Sequence, residues 1–194
     1  MKETDTRTAL IVVDAINSFF PGGELPVTDG GKVVEPLNEV IKYGLENNWL
    51  LLATNEDHPE DTAHFKKWPV HGMHGTKGAE FHPDLLADHL TIFYKGRSRE
   101  DDGYSGFEGK NDNGELLEDF LRKYRITRVL IGGLATDYCV KATAIDAAKY
   151  FETYVLLDAI KAVNLQPNDE SRAIAEMVRN GVKFTQTIYL EMLG

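Results

Sequence analysis

Continuously apolar runs alternate along the chain with segments whose apolar residues recur at helical spacing. The first run, residues 8–13 (TALIVV), is rich in β-branched residues, which is typical of a strand buried on both faces. Helical spacing follows between Val33 and Leu45, with Pro36 suited to a first turn. The same patterns predict further strands at residues 49–54, 91–94, 128–134, 153–157 and 182–187, and further helices at about 116–121, 137–150 and 169–180.

This alternation predicts an α/β fold: a single three-layer α/β/α domain over residues 1–194, with a mostly parallel six-stranded sheet between helices. In such folds the ligand binds outside the carboxyl ends of the strands. Asp14, Lys95 and Cys139 each lie at or just beyond such an end, as does the pair of Glu56 and His58. We therefore expect these side chains to converge.

Composition narrows the classes of partner. The 194 residues are 42% hydrophobic, enough for a sizeable core. A net charge of −10 without a Lys/Arg-rich run argues against nucleic acid and against an anionic membrane surface. The longest apolar runs are of strand length, too short to cross a bilayer. One cysteine excludes an internal disulfide and, with no N-terminal signal segment, predicts a cytoplasmic location.

Cys139 is the first candidate for chemistry. It follows a strand and a short turn, at the predicted start of a helix. Free N–H groups and partial positive charge at a helix N-terminus lower the pKa of a thiol and can hold an oxyanion. Because buried free cysteines are also common in cores, a structural role for this thiol is the alternative.

Asp14 and Lys95 are candidates for assisting such a thiol. A thiol nucleophile needs a proton acceptor, and Asp14 ends an apolar strand where it can serve as one. Lys95 could pair with Asp14 and stabilise developing negative charge. An ordinary capping aspartate and a solvated lysine are the alternatives.

The long segment from Asn55 to His89 is irregular and rich in histidine, which a compact domain rarely keeps without a use. Glu56, His58, His64 and His71 offer a carboxylate and imidazoles. Such ligands suit one divalent ion, zinc first, with manganese or iron as alternatives. The competing interpretation is a surface loop that happens to contain histidines.

Three aromatic residues, Phe19, Phe20 and Trp68, fall in predicted loops. Loop aromatics often complete a small satellite core. Beside an active site, they can instead sandwich a flat ring.

Several motifs resemble those of nicotinamidases and pyrazinamidases within the isochorismatase-like cysteine hydrolases. They occur in the order typical of that family, between about Ala9 and Leu157. The matching segments are 9–25 (ALIVVDAINSFFPGGEL), 68–71 (WPVH), 75–83 (GTKGAEFHP), 94–96 (YKG), 104–109 (YSGFEG) and 133–140 (GLATDYCV).

The resemblance implies roles for individual residues. Asp14, Lys95 and Cys139 match the catalytic triad. A cis peptide bond typically precedes the position of Ala135, whose N–H would form an oxyanion hole with that of Cys139. The residues that match the walls of the substrate-ring pocket are Phe19, Trp68 and Tyr104. The residues that match metal ligands are Glu56, His58 and His71, and His64 matches a fourth-ligand position that varies within the family.

The chain departs from the family pattern at a few positions. Glu56 stands where the first metal ligand is usually Asp, and Asp57 could take that role through a shift of register. Ile16 replaces a usual Gln, and Ser18 replaces a usual acid. Gly72 occupies a position that is often Cys.

The implied activity is hydrolysis of nicotinamide to nicotinate and ammonia through a cysteine thioester, with pyrazinamide as a second substrate. A related metal-free hydrolase of another small amide or of an isochorismate-like vinyl ether is the first alternative. A binding protein on the same fold is the second. The sequence leaves oligomeric state open, and a homo-oligomer is compatible with it.

Overall fold

Six strands form one sheet in the computed structural model, which describes residues 6–193. Their order is β3-β2-β1-β4-β5-β6, and each neighbouring pair among these residues is parallel. The strands are β1 (Thr8–Val13), β2 (Leu50–Glu56), β3 (Thr91–Lys95), β4 (Arg128–Leu134), β5 (Glu152–Lys161) and β6 (Lys183–Thr185). The predicted α/β fold with a parallel six-stranded sheet is confirmed.

Helices cover both faces of the sheet. They are α1 (Val34–Glu46), α2 (Leu117–Lys123), α3 (Lys141–Ala148) and α4 (Asp169–Arg179). Side chains of β1 alternate between two cores: Leu10 packs with Leu37 of α1, and Ile11 packs on the opposite face with Leu121 of α2. A strand buried on both faces must be apolar at every position, which explains the continuous run at 8–13. None of the helices within residues 6–193 combines the length and the apolar character needed to cross a membrane.

Two strands extend further than their apolar patterns predict. β2 ends at Glu56 and β3 at Lys95, and these two residues are register partners in the ladder. Because the side chains of Glu56 and Lys95 are polar, the apolar pattern of each strand stops before them. Both side chains are nevertheless buried. The predicted ends at 54 and 94 are therefore wrong, because buried polar residues of a site continue the backbone pairing.

Two later elements also differ from prediction. β5 is longer than predicted and its register against β4 shifts between Ile131 and Gly133, whereas β6 is shorter. The helix predicted at 137–150 begins as a π-helical turn, Thr136–Val140, and continues as α3. The Ala135 carbonyl accepts from the N–H groups of Tyr138 and Val140, both at 3.1 Å. Apolar periodicity does not reveal such a wide turn.

Candidate active site

Four neighbouring strands place four buried polar side chains at one edge of the sheet. Asp14 follows β1, Glu56 and Lys95 end β2 and β3, and Cys139 lies in the π-helical turn after β4. Parallel strands align their carboxyl ends, so residues far apart in sequence meet there. The expected convergence is observed.

Lys95 stands at the centre of this group. Its Nζ lies 2.8 Å from Asp14 Oδ2, 2.9 Å from Glu56 Oε1 and 3.5 Å from Cys139 Sγ, and it also donates to the Gly103 carbonyl. Burial disfavours its charge, but Asp14 and the neighbouring groups raise its pKa well above the usual value. Lys95 is therefore a buried ammonium group surrounded by acceptors.

Asp14 is fixed beside the thiol. One of its carboxylate oxygens lies within 4.8 Å of Cys139 Sγ, and Oδ1 accepts from the Thr54 hydroxyl at 2.8 Å. Its backbone adopts φ 45°, a conformation that aspartate tolerates better than most residues. Burial raises its pKa above the ordinary value, although Lys95 opposes the rise. A carboxylate less acidic than usual suits a proton acceptor.

The thiol of Cys139 is protonated at rest. Burial raises its pKa well above normal, and the charges of Glu56 and Asp14 add to this effect against the attraction of Lys95. Cys139 Sγ donates to Glu56 Oε1 at 3.1 Å. Loss of solvent therefore outweighs any lowering of this pKa in the cluster. The thiol requires a base at the moment of attack.

Three imidazoles form a second cluster next to the first. His58, His64 and His71 are buried, and one ring nitrogen of each lies within 4.8 Å of those of the others. Their Nδ1 atoms are engaged by outer acceptors, namely Gly96 O at 3.0 Å, Asp102 Oδ1 at 3.0 Å and Pro69 O at 2.7 Å respectively. These contacts leave Nε2 as the atom of each ring that can bind an ion.

Glu56 joins the two clusters. Its Oε2 lies 3.2 Å from His71 Nε2 and 3.7 Å from His58 Nε2. Burial opposes its ionisation, but attraction to Lys95 and the nearness of His58 and His71 hold its pKa well below normal. His58 Nε2 is buried and has no hydrogen-bond partner within residues 6–193. A carboxylate beside three buried imidazoles, one with an unpartnered Nε2, fits a divalent metal.

Asp57, the alternative ligand, faces away from the imidazoles. Its Oδ1 lies 2.7 Å from His74 Nδ1 and its Oδ2 accepts from Arg97 Nε at 2.6 Å. Alternation along a strand sends successive side chains to opposite faces, so Glu56 and Asp57 cannot both point into the site.

The departures from the family pattern fit together around Glu56. Gly72 adopts φ +50°, and a Cβ at this position would lie 3.1 Å from Glu56 Cβ. The Gly72 N–H donates to Ser18 Oγ at 3.0 Å, and the Ser18 hydroxyl donates to Glu24 Oε2 at 2.7 Å. Ile16 is buried in the core. The absence of a side chain at Gly72 thus lets this loop pack closely against the backbone and Cβ of residue 56.

A pocket opens above Cys139, and the three predicted ring-binding residues line it: Phe19, Trp68 and Tyr104. Trp68 Nε1 donates to the Tyr104 hydroxyl at 3.1 Å. Ala135 also lines the pocket, and the Leu134–Ala135 peptide bond is cis, as predicted.

Some lining residues escaped sequence interpretation: Leu25, Tyr138 and Val163. Tyr138 directly precedes Cys139, which was a usable signal, and its ring packs edge-on at 4.9 Å from that of Trp68. Leu25 ends the family-like segment 9–25 but was given no role there, and Val163 is an ordinary apolar loop residue that nothing in its local sequence marks. Phe20, in contrast, is buried in the core and is absent from the pocket lining.

Fold and site together define an α/β protein with a cysteine, two carboxylates and a lysine buried at the carboxyl edge of a parallel sheet. The chain belongs to the Isochorismatase domain family, which matches residues 8–188. Among curated relatives, it is 36% identical to the nicotinamidase/pyrazinamidase of Mycobacterium tuberculosis, over 80% of this chain and 87% of that protein.

Solved structures with similar folds and sequences include proteins of the same kind. The pyrazinamidase of Pyrococcus horikoshii in complex with zinc is 44% identical, with a TM-score of 0.83 over 93% of this chain and 99% of the other. PnC1 from L. infantum in complex with nicotinate is 31% identical, with a TM-score of 0.81 over 94% of each chain.

Proposed function

We propose that this protein is a nicotinamidase that hydrolyses nicotinamide to nicotinate and ammonia, and that it also accepts pyrazinamide. The observation that carries this proposal is the buried group of Cys139, Asp14 and Lys95 beneath a pocket walled by aromatic side chains. The names of the relatives from M. tuberculosis and P. horikoshii support the amide substrate.

The residues have distinct roles in this proposal. Asp14 takes the thiol proton as Cys139 Sγ attacks the carboxamide carbon, and it returns the proton to the departing ammonia. The N–H groups of Ala135 and Cys139 hold the oxyanion. A water activated by Asp14 then cleaves the thioester. Lys95 opposes the effect of burial on Asp14 and so keeps the carboxylate ionised and oriented.

A divalent ion, zinc first, would be held by Glu56, His58, His64 and His71. When bound, it supplies a Lewis-acid position for the ring nitrogen of the substrate. Phe19 and Trp68 would flank the ring. Zinc in the P. horikoshii structure supports this assignment.

We also propose that residues 1–194 form one domain that works in the cytoplasm, where a thiol nucleophile stays reduced. Its partner is the small-molecule substrate, and the charge of −10 disfavours nucleic acid and anionic membranes.

Ammonia release from nicotinamide, pyrazinamide and benzamide tests the proposal. Nicotinamide should far exceed benzamide, which has the same shape but lacks the ring nitrogen, since an unmet polar position costs orders of magnitude in specificity. A chelator should abolish the preference and added zinc should restore it. A metal-free protein that gains nothing from metal and hydrolyses benzamide equally well would contradict the nicotinamidase assignment. Ammonia release from none of the amides would favour a binding protein.

A further inference from the structure

The three imidazoles differ in what holds their outer nitrogen. Backbone carbonyls of Gly96 and Pro69 engage Nδ1 of His58 and His71, so the fold itself fixes those rings. His64 Nδ1 instead contacts a side chain, Asp102 Oδ1, at 3.0 Å. The sequence around Asp102 did not predict a role for it.

His64 also differs from the other two in its backbone setting. It lies in a short 3-10 turn, Ala63–Lys66, inside the irregular connection between β2 and β3. Its ring stacks on that of His58 with centroids 4.6 Å apart. The contact with Asp102 is made through Nδ1 and so distinguishes the two ring nitrogens.

Asp102 is itself held in place. Lys67 Nζ lies 2.7 Å from its Oδ2 and 3.0 Å from its Oδ1. The carboxylate of Asp102 is thus held between the Lys67 ammonium and the His64 imidazole. The segment that carries it, residues 96–103, docks on the turn of His64 through a bond from Ala63 N to Arg99 O at 2.8 Å.

We propose that Asp102 is a positioning residue that makes His64 a metal ligand, an inference that rests on the metal site proposed above. Its carboxylate accepts the Nδ1 proton, which fixes the tautomer whose Nε2 lone pair faces the ion and raises the basicity of that nitrogen. Asp102 is not among the residues that line the pocket above Cys139, so its effect passes through His64.

Zinc affinity, measured by competition with a chromophoric chelator in the absence of substrate, tests this role. Asp102→Ala should bind zinc about 10–100-fold more weakly, the usual effect of losing an outer-sphere partner. Asp102→Asn should lie in between, since its amide oxygen can still accept, and it keeps the test open if the Ala variant does not fold. Glu100→Gln removes the same charge from an exposed position on the same segment and should bind zinc like the wild type.

A double-mutant cycle with His64→Ala separates positioning from a general effect of charge or folding. If Asp102 acts through His64, its replacement should cost no further affinity once the imidazole is gone. An equal loss in both backgrounds, or wild-type affinity in Asp102→Ala, would overturn the proposal. A wild-type protein that binds no zinc would overturn the metal site as well. The amide substrate is tested separately by ammonia release.

Discussion

Glu56 Oε1 accepts a hydrogen bond from Cys139 Sγ at 3.1 Å, while Oε2 of the same carboxylate faces the imidazoles. One side chain therefore touches the nucleophile, the buried ammonium of Lys95 and the proposed metal site. The sequence predicted Glu56 as a metal ligand alone, because a strand-end position does not reveal how far a side chain reaches.

Glu56→Gln tests this double contact. The amide is neutral, and its NH₂ must face either Lys95 and Cys139 or the imidazoles, so one side loses its acceptor. We expect zinc affinity to fall at least about tenfold. The free energy of unfolding of the metal-free protein should fall by up to about 3 kcal/mol, since Lys95 keeps only one carboxylate partner. Chelator competition and urea denaturation measure the two effects.

Glu56→Asp is the matched control, because it retains the charge and restores the acid usual in the family. It should keep zinc affinity close to that of the wild type. Unchanged affinity and unchanged stability in Glu56→Gln would show that the carboxylate serves neither cluster.

Lys95→Met should shift the pH profile of hydrolysis. Burial raises the pKa of Asp14, and attraction to Lys95 is the largest opposing effect. A proton acceptor must be ionised, so kcat/KM falls as pH decreases through this pKa. Removing the ammonium raises the pKa further, which should move the acid limb to higher pH and lower the maximum. Lys66→Met, at an exposed lysine in the turn of His64, should leave the limb in place. An unmoved limb in Lys95→Met would contradict the coupling.

Cys139→Ala should reduce turnover by several orders of magnitude, the scale seen when a covalent nucleophile is removed. Zinc binding should remain close to normal, because the sulfur does not belong to the imidazole cluster. Mass spectrometry should detect a nicotinaldehyde adduct on the wild type and none on the variant. Substantial activity in Cys139→Ala would exclude the thioester mechanism.

The sequence predicted the layers of the fold and the meeting of Asp14, Lys95 and Cys139, because apolar runs locate strands and parallel strands align their ends. It did not predict that Glu56 and Lys95 pair within the sheet, because charged residues interrupt the apolar pattern by which a buried strand is recognised. The contact of Asp102 with His64 was also out of reach, because it depends on how two irregular segments dock. Local periodicity carries no information about such packing.

Gly96 offers a test of how tightly the proposed metal site is built. Its φ is +72°, and a Cβ here would lie 2.4 Å from His58 Cε1. Its carbonyl also accepts from His58 Nδ1. Gly96→Ala must therefore displace the imidazole or the backbone that orients it. We expect a loss of zinc affinity of at least about tenfold, since small shifts in ligand position weaken a metal site.

Gly114→Ala separates that displacement from ordinary backbone strain. Gly114 has nearly the same φ, +77°, but a Cβ there would meet no atom within 4 Å. Both variants carry the left-handed penalty of about 1–2 kcal/mol. Gly114→Ala should lose that much stability in urea denaturation and retain zinc affinity, whereas Gly96→Ala should lose more stability together with the metal. Equal losses in the two variants would mean that the ring of His58 tolerates the added methyl group, and hence that the site is looser than the contact with Gly96 implies.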